Sequence, residues 1–169
     1  MDIYVPTEFE KPLSDYLNAV YLFKERLPFE INITGYEHHF EFYSNFSLDA
    51  FETTHLQKYS EDLEKLKVPN KMQCYCFLIE VEKTKLFYSA DIGSFDDIKI
   101  HLDGCKYVIV ESTHIEISEF LKEAPKFEVG KYVLSHLGSP DEVENIAEKV
   151  KQSGIKNIRL AQDGMELHI

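Results

Sequence analysis

The sequence predicts an α/β fold, a sheet with helices packed against it, and three features carry that expectation. First, "KYVIVES" (residues 106–112) and "GKYVLSH" (130–136) are apolar almost throughout, the signature of strands covered on both faces. Second, strands and helices alternate toward the C-terminus, which gives layered α/β packing. Third, "SPDEVENIAEKVKQSG" (139–154) is a helix marked at both ends. Ser139 and Glu142 form a capping box, Pro140 sits at the first helical position and Gly154 follows the last. Its apolar stripe is Val143, Ile146, Ala147 and Val150.

The remaining elements follow from the same rules, taken from the N-terminus. Met1 to Val5 reads as a short strand closed by Pro6. Thr7 with Glu10 suggests a capping box, Pro12 suits a first turn, and Leu13, Tyr16, Leu17 and Val20 have helical spacing. Three strand-like runs come next, "FEINITGYE", "HHFEFYS" and "FSLDAFETT". The last two show partial period-two alternation, which fits an antiparallel sheet with one buried face. His38 and His39 are expected to be structural or solvent-facing. Residues 57–71 are polar and charged, an exposed loop or short helix. "MQCYCFLIEVEKTKLFYSA" reads as a hairpin turning at residues 82–85. "SFDDIKIHLDG" reads as a short helix capped by Ser94 with Asp97 three residues on, and "EISEFLKEA" as another. The chain closes with the strand "IKNIRLAQ" and a tight Asp163-Gly164 turn.

Bulk composition narrows the functional classes. At 169 residues, 44% of them hydrophobic and 28% charged, the chain is one globular domain with enough material for a core. A net charge of −12 argues against a broad nucleic-acid or anionic-membrane footprint, because both need a cationic surface. No apolar run approaches the roughly 20 residues of a membrane span, and the acidic start "MDIYVPTEFE" has no signal-peptide pattern. Cys74, Cys76 and Cys105 make an odd set without a disulfide framework, which points to the cytoplasm.

Chemistry is concentrated where apolar strands run into polar residues: His55 in "FETTHL", Asp91 in "LFYSADIGS" and His136 in "YVLSHLGS". In layered α/β folds sites collect where strand ends meet loops. Two imidazoles and a carboxylate converging there offer direct ligands for zinc, manganese or iron. A carboxylate can also bridge two metals, a pair that activates water and stabilises a leaving oxygen. Each residue also has a structural alternative, as a turn cap, a strand terminator or a helix cap.

In order along the chain, these motifs resemble the C-terminal part of a metallo-β-lactamase-fold hydrolase, in the phosphodiesterase branch that contains the tRNA 3′-processing endonucleases. "DIYVPTEFEKPLSDYL" is similar to that family's strand-Gly-Pro-helix segment, with Val5 in place of the usual glycine. "FETTHL" resembles its third-motif histidine and "SADIGS" its Ser-Gly-Asp-Thr-Gly motif. "YVIVEST" resembles its Glu-Ala-Thr strand end, "YVLSHLGS" its last histidine motif, and "IRLAQDGMELHI" its Ala-x-Asp-Gly-Met ending. The resemblance implies a partial metallo-β-lactamase fold, the C-terminal portion of an αββα sandwich. It implies that His55 serves one metal, His136 the other, and that Asp91 bridges them as the catalytic carboxylate, with Zn2+ or Mn2+ as cofactor.

The same resemblance defines what this chain departs from. The family's His-x-His-x-Asp-His motif has no counterpart among the histidines at 38, 39, 55, 101, 114, 136 and 168. Residues 115–130 contain no histidine to act as the family's general acid, and His114 is the nearest one. Residues 1–169 are therefore expected to be a single domain lacking the N-terminal portion, either a natural half protein or a shortened reading frame. On this reading each metal lacks two protein ligands and the chain is inactive alone. A half fold is also expected to expose an apolar sheet face, so pairing is expected, as a homodimer or with a separate chain supplying the N-terminal half. The alternatives are a complemented metal-dependent phosphodiesterase and a non-catalytic binding or assembly module.

Overall fold

In the computed structural model, residues 1–37 and 39–168 are described. The expectation for His38 lies outside them, as does that for the side chain of His39. Among the described residues, seven strands form one sheet. These are β3 (His39–Tyr43), β4 (Ser47–Glu52), β5 (Tyr75–Val81), β6 (Thr84–Tyr88), β7 (Cys105–Glu111), β8 (Lys131–Ser135) and β9 (Ile158–Leu160), in that spatial order. Pairing is antiparallel from β3 to β6 and parallel from β6 to β9. Because β4 and β6 both run against β5, the strands β4, β6, β7, β8 and β9 all point the same way. Their C-terminal ends share one edge, and the predicted site residues follow three of those ends.

The hairpin between β5 and β6 turns at Glu82 (φ 48°) and Lys83 (φ 69°), a two-residue reversal with both residues left-handed. The run "FEINITGYE" does not join the antiparallel strands. Its core, β2 (Asn32–Tyr36), pairs in parallel with β1 (Asp2–Pro6) as a separate two-stranded ribbon linked by α1 (Thr7–Ala19). That helix starts at Thr7 itself, with Pro6 at the cap and no side-chain cap bond. The expected Thr7–Glu10 box is therefore absent, and Pro12 falls inside the helix. Tyr4 and Tyr36 pack on Phe40 at ring-centroid distances of 5.1 and 4.9 Å, joining the ribbon to β3.

One sheet face carries Phe87, Val108, Val110, Tyr132 and Leu134, all at most 1% exposed. The short helix α2 (Ser60–Leu66) follows β4, and over this face lie α3 (Ile117–Glu123) and α4 (Pro140–Ser153), which bring Ile117, Phe120 and Ile146 into the core. Phe120 meets Tyr132 and Phe95 edge-on at 5.3 and 5.4 Å. The Tyr132 hydroxyl donates to the Ala124 carbonyl, so its polar end is paired where it is buried. The capping box of α4 forms as expected, and Gly154 closes it at φ 72°. The opposite face is apolar and covered in part: Ala50, Leu86 and Val133 are buried, Phe77, Ile79, Tyr107 and Ile109 are half-buried, and Tyr88 is exposed. Among the described residues, no helix is long and apolar enough to cross a membrane.

Candidate metal centre at the C-terminal strand edge

Backbone geometry at this edge is unusual where the site residues lie. Ala90 and His136 both have positive φ, 48° and 50°, a region that non-glycine residues rarely adopt. Such strain persists only where surrounding contacts over-determine it. Here the Asp91 carbonyl accepts from Thr53 Oγ1 and Cys74 Sγ, at 3.2 and 3.3 Å. The His136 carbonyl accepts from the hydroxyls of Thr113 and Ser112. Asp91, next to Ala90, and His136 are thus held through their own carbonyls.

A second set of bonds ties the His55 loop to the Asp91 loop. The Asp97 carboxylate accepts from Thr54 N–H (2.9 Å), Thr54 Oγ1 (3.0 Å) and Gly93 N–H (2.9 Å). Asp97 therefore does not cap a helix behind Ser94, as the sequence suggested. That segment forms two short 3-10 turns, Phe95–Asp97 and Lys99–His101, because its acid is engaged elsewhere. Gly93 is needed where the loops touch: a Cβ on it would lie 2.1 Å from Thr54 Oγ1 and 3.0 Å from the Thr54 carbonyl carbon.

The three strand-end residues meet. His136 Nδ1 lies 3.2 Å from Asp91 Oδ1, and His55 Nε2 lies 3.9 Å from Asp91 Oδ2, so each imidazole faces a different oxygen of one carboxylate. His55 Nδ1 sits 3.4 Å from the Ile92 carbonyl, which sets Nδ1 as the protonated nitrogen and leaves Nε2 for the site. Asp91 and His136 are about half exposed, whereas the His55 side chain is only 10% exposed.

Two further residues join them. Glu111, at the end of β7, is 2% exposed, and its Oε2 accepts the N–H groups of Thr113 (2.8 Å) and His114 (2.9 Å). Its Oε1 is 3.3 Å from His114 Nδ1 but out of line for a hydrogen bond, so both atoms are buried without a hydrogen-bond partner. The His114 ring stands edge-on to His55 at 4.5 Å and to His136 at 5.4 Å. Glu111 obeys the same strand-end rule that singled out the other three, and that signal could have found it. The sequence offers His114 only as the histidine nearest the family's general-acid position, and not as a ligand.

Imidazole nitrogen and carboxylate oxygen are the donor set of zinc and of manganese or iron sites. Ligand atoms of His55, Asp91 and His114 lie within 4.8 Å of one another, as do those of Glu111, His114 and His136. With two buried polar atoms lacking partners in their midst, the residues present fit a divalent cation. A depression of about 420 Å3, lined by Tyr88, Ala90, Asp91, Ile109, Glu111, Ser135 and His136, leads to them.

The mixed sheet backed by helices matches part of the metallo-β-lactamase fold. The chain superimposes on the metallo-β-lactamase-fold protein YhfI from Bacillus subtilis with a TM-score of 0.61 and 16% identity, over 97% of this chain and 63% of that one. It is similar to Zn2+-bound PqqB from Methylobacterium extorquens (TM-score 0.67, 12% identity, 100% of this chain and 65% of that one). It is also similar to an isothiocyanate hydrolase from Delia radicum gut bacteria (0.64, 12%, 100% and 67%). The chain thus spans about two thirds of the length of these proteins. No protein-family profile and no curated sequence matches it.

Proposed function

We propose that this chain carries a hydrolase-type metal centre with Asp91 as the shared carboxylate, His55 on one of its oxygens and His136 on the other. Zinc or manganese is the cation and phosphodiesters, as in the tRNA 3′-processing branch, are the substrate class. The observation that carries the reading is the division of the Asp91 oxygens between two imidazoles, at 3.9 and 3.2 Å. Such an ion, when bound, supplies Lewis acidity toward a phosphoryl oxygen. The motif order of the sequence supports the substrate class, and three free cysteines support a cytoplasmic setting.

His-x-His-x-Asp-His does not occur in the 169 residues, so on this reading the isolated chain is inactive on phosphodiesters until further donors are supplied. The test is metal content after loading and dialysis, with hydrolysis of bis(4-nitrophenyl) phosphate in parallel. Zinc or manganese retained by the wild type and lost in Asp91→Ala supports the centre. Equal retention in both, or none in either, removes it.

The partly covered sheet face favours a second reading, in which the chain works as an assembly module. It would pair with another copy or with a separate chain carrying the missing donors. Tyr88 on that face is 42% exposed, and Tyr16, Tyr21 and Tyr43 elsewhere are 62%, 81% and 70% exposed. Light scattering that returns a monomer at all accessible concentrations counts against self-pairing.

A further inference from the structure

Three imidazoles, not two, stand around Asp91, and the third has no role in the reading above. We propose that His114 completes a metal position that this chain builds by itself, with His55, Asp91 and His114 holding one zinc-class divalent cation and Glu111 orienting His114. The inference rests on the metal reading above. It adds a ligand and limits the isolated chain to a single ion.

The geometry is close to what a shared ion needs. Two ligand atoms on one tetrahedral zinc, each about 2.1 Å from it, lie roughly 3.4 Å apart. The three donors here lie within 4.8 Å of one another, with His55 Nε2 and Asp91 Oδ2 at 3.9 Å, so side-chain shifts of about 1 Å suffice. Three protein ligands with one open position is the composition of catalytic zinc sites, whereas structural sites are closed by four.

The buried groups behind the ring give the second argument. A metal-binding histidine generally donates its other ring N–H to a carboxylate or a backbone carbonyl, which fixes the ring and its tautomer. His55 has that arrangement through the Ile92 carbonyl. His114 has the parts for it: Nδ1 lies 3.3 Å from Glu111 Oε1, both atoms are buried, and neither has a hydrogen-bond partner. A carboxylate oxygen buried without a donor is costly, and a small turn of the ring would satisfy it and leave Nε2 for the ion. The other oxygen of Glu111 is held by two backbone N–H groups, which fixes the carboxylate with Oε1 beside His114 Nδ1. The set Glu111–His114–His136 draws on the same imidazole, so the two sets cannot both fill through Nε2. His136 then keeps its place on Asp91 Oδ1, as the lone imidazole of a second position that this chain leaves short of donors.

The test is zinc binding to the full-length chain, read by titration calorimetry and by elemental analysis after dialysis. One equivalent is expected in the wild type. His114→Ala and His114→Gln, the second close to the original volume, should both weaken binding by 100-fold or more. Circular dichroism on each variant establishes that the fold is kept. Glu111→Gln should keep the stoichiometry and weaken binding about 10–100-fold, the usual effect of losing an orienting partner. A folded His114 variant that binds one equivalent with wild-type affinity overturns the inference and leaves the centre on Asp91 standing, provided Asp91→Ala loses the ion. A wild type that binds nothing removes both.

Discussion

Asp97 touches none of the proposed ligands, yet the structure makes it the residue that sets the distance between two of them. Replacing it with alanine removes an acceptor shared by Thr54 N–H, Thr54 Oγ1 and Gly93 N–H. Hydrogen bonds to a charged acceptor contribute about 1.5–3 kcal/mol each, and neutral ones about 1 kcal/mol. Water reaches this seam, so the lower figure applies and the three together stabilise it by about 3 kcal/mol. For a chain of this size that corresponds to a fall in melting temperature of roughly 6–12 °C. Asp97→Asn should cost less, about 2 kcal/mol, because one carbonyl oxygen remains while the amide N–H2 faces donors. Urea unfolding followed by circular dichroism measures the loss. Zinc titration of the folded variant shows whether His55 has drifted from Asp91. An Asp97→Ala protein within about 0.5 kcal/mol of wild type would refute the account of this seam.

Other substitutions probe separate parts of the structure. Gly93→Ala pushes a methyl against the Thr54 backbone and should destabilise by about 1–3 kcal/mol in the same unfolding assay, with no loss if the loops are free to part. His101 is stacked on Phe51 at 4.0 Å, and burial holds its pKa below the ordinary value. A histidine with a lowered folded pKa contributes stability that is present above its unfolded value, near 6.5, and is lost as pH falls through the folded value. The drop in stability on acidification from about pH 7 to pH 5 should therefore be smaller in His101→Leu than in wild type, and equal drops would sink this. Burial pushes the Cys76 thiol up to about 12, so at pH 8 only about one molecule in ten thousand carries the thiolate. Mass spectrometry after iodoacetamide treatment of the native protein should find Cys76 unmodified, and rapid labelling there would contradict its burial.

How far the sequence could be read depended on whether a signal was local. The ends of α4 are written in adjacent residues, Ser139, Pro140, Glu142 and Gly154, and they formed as read. His55, Asp91 and His136 converge because each follows a strand whose apolar run is visible alone, and because those strands run the same way. The misreadings share another cause. Asp97 has the spacing of a helix-cap partner, but it is engaged by Thr54, which is 43 residues distant in sequence. The run at β2 has strand character, but nothing within it names β1 as the parallel partner. The start of α1 shifted by one residue because Pro6 takes the cap position. His114 lacks a local signature altogether. Its place depends on burial of the Glu111 carboxylate, which appears only once β6, β7 and β8 lie side by side.

The reversal at Glu82 and Lys83 lies at the rim of the sheet opposite the histidines, about 23 Å away along the seven residues of β5. Both residues hold a left-handed backbone that Asn-Gly adopts at lower cost. Thermal tolerance can therefore be raised at that end by about 1–2 kcal/mol without disturbing the proposed metal centre. A fluorophore placed there would report on unfolding while leaving the imidazoles untouched. Robustness and chemistry can be engineered independently in this molecule, one at each end of the same strands.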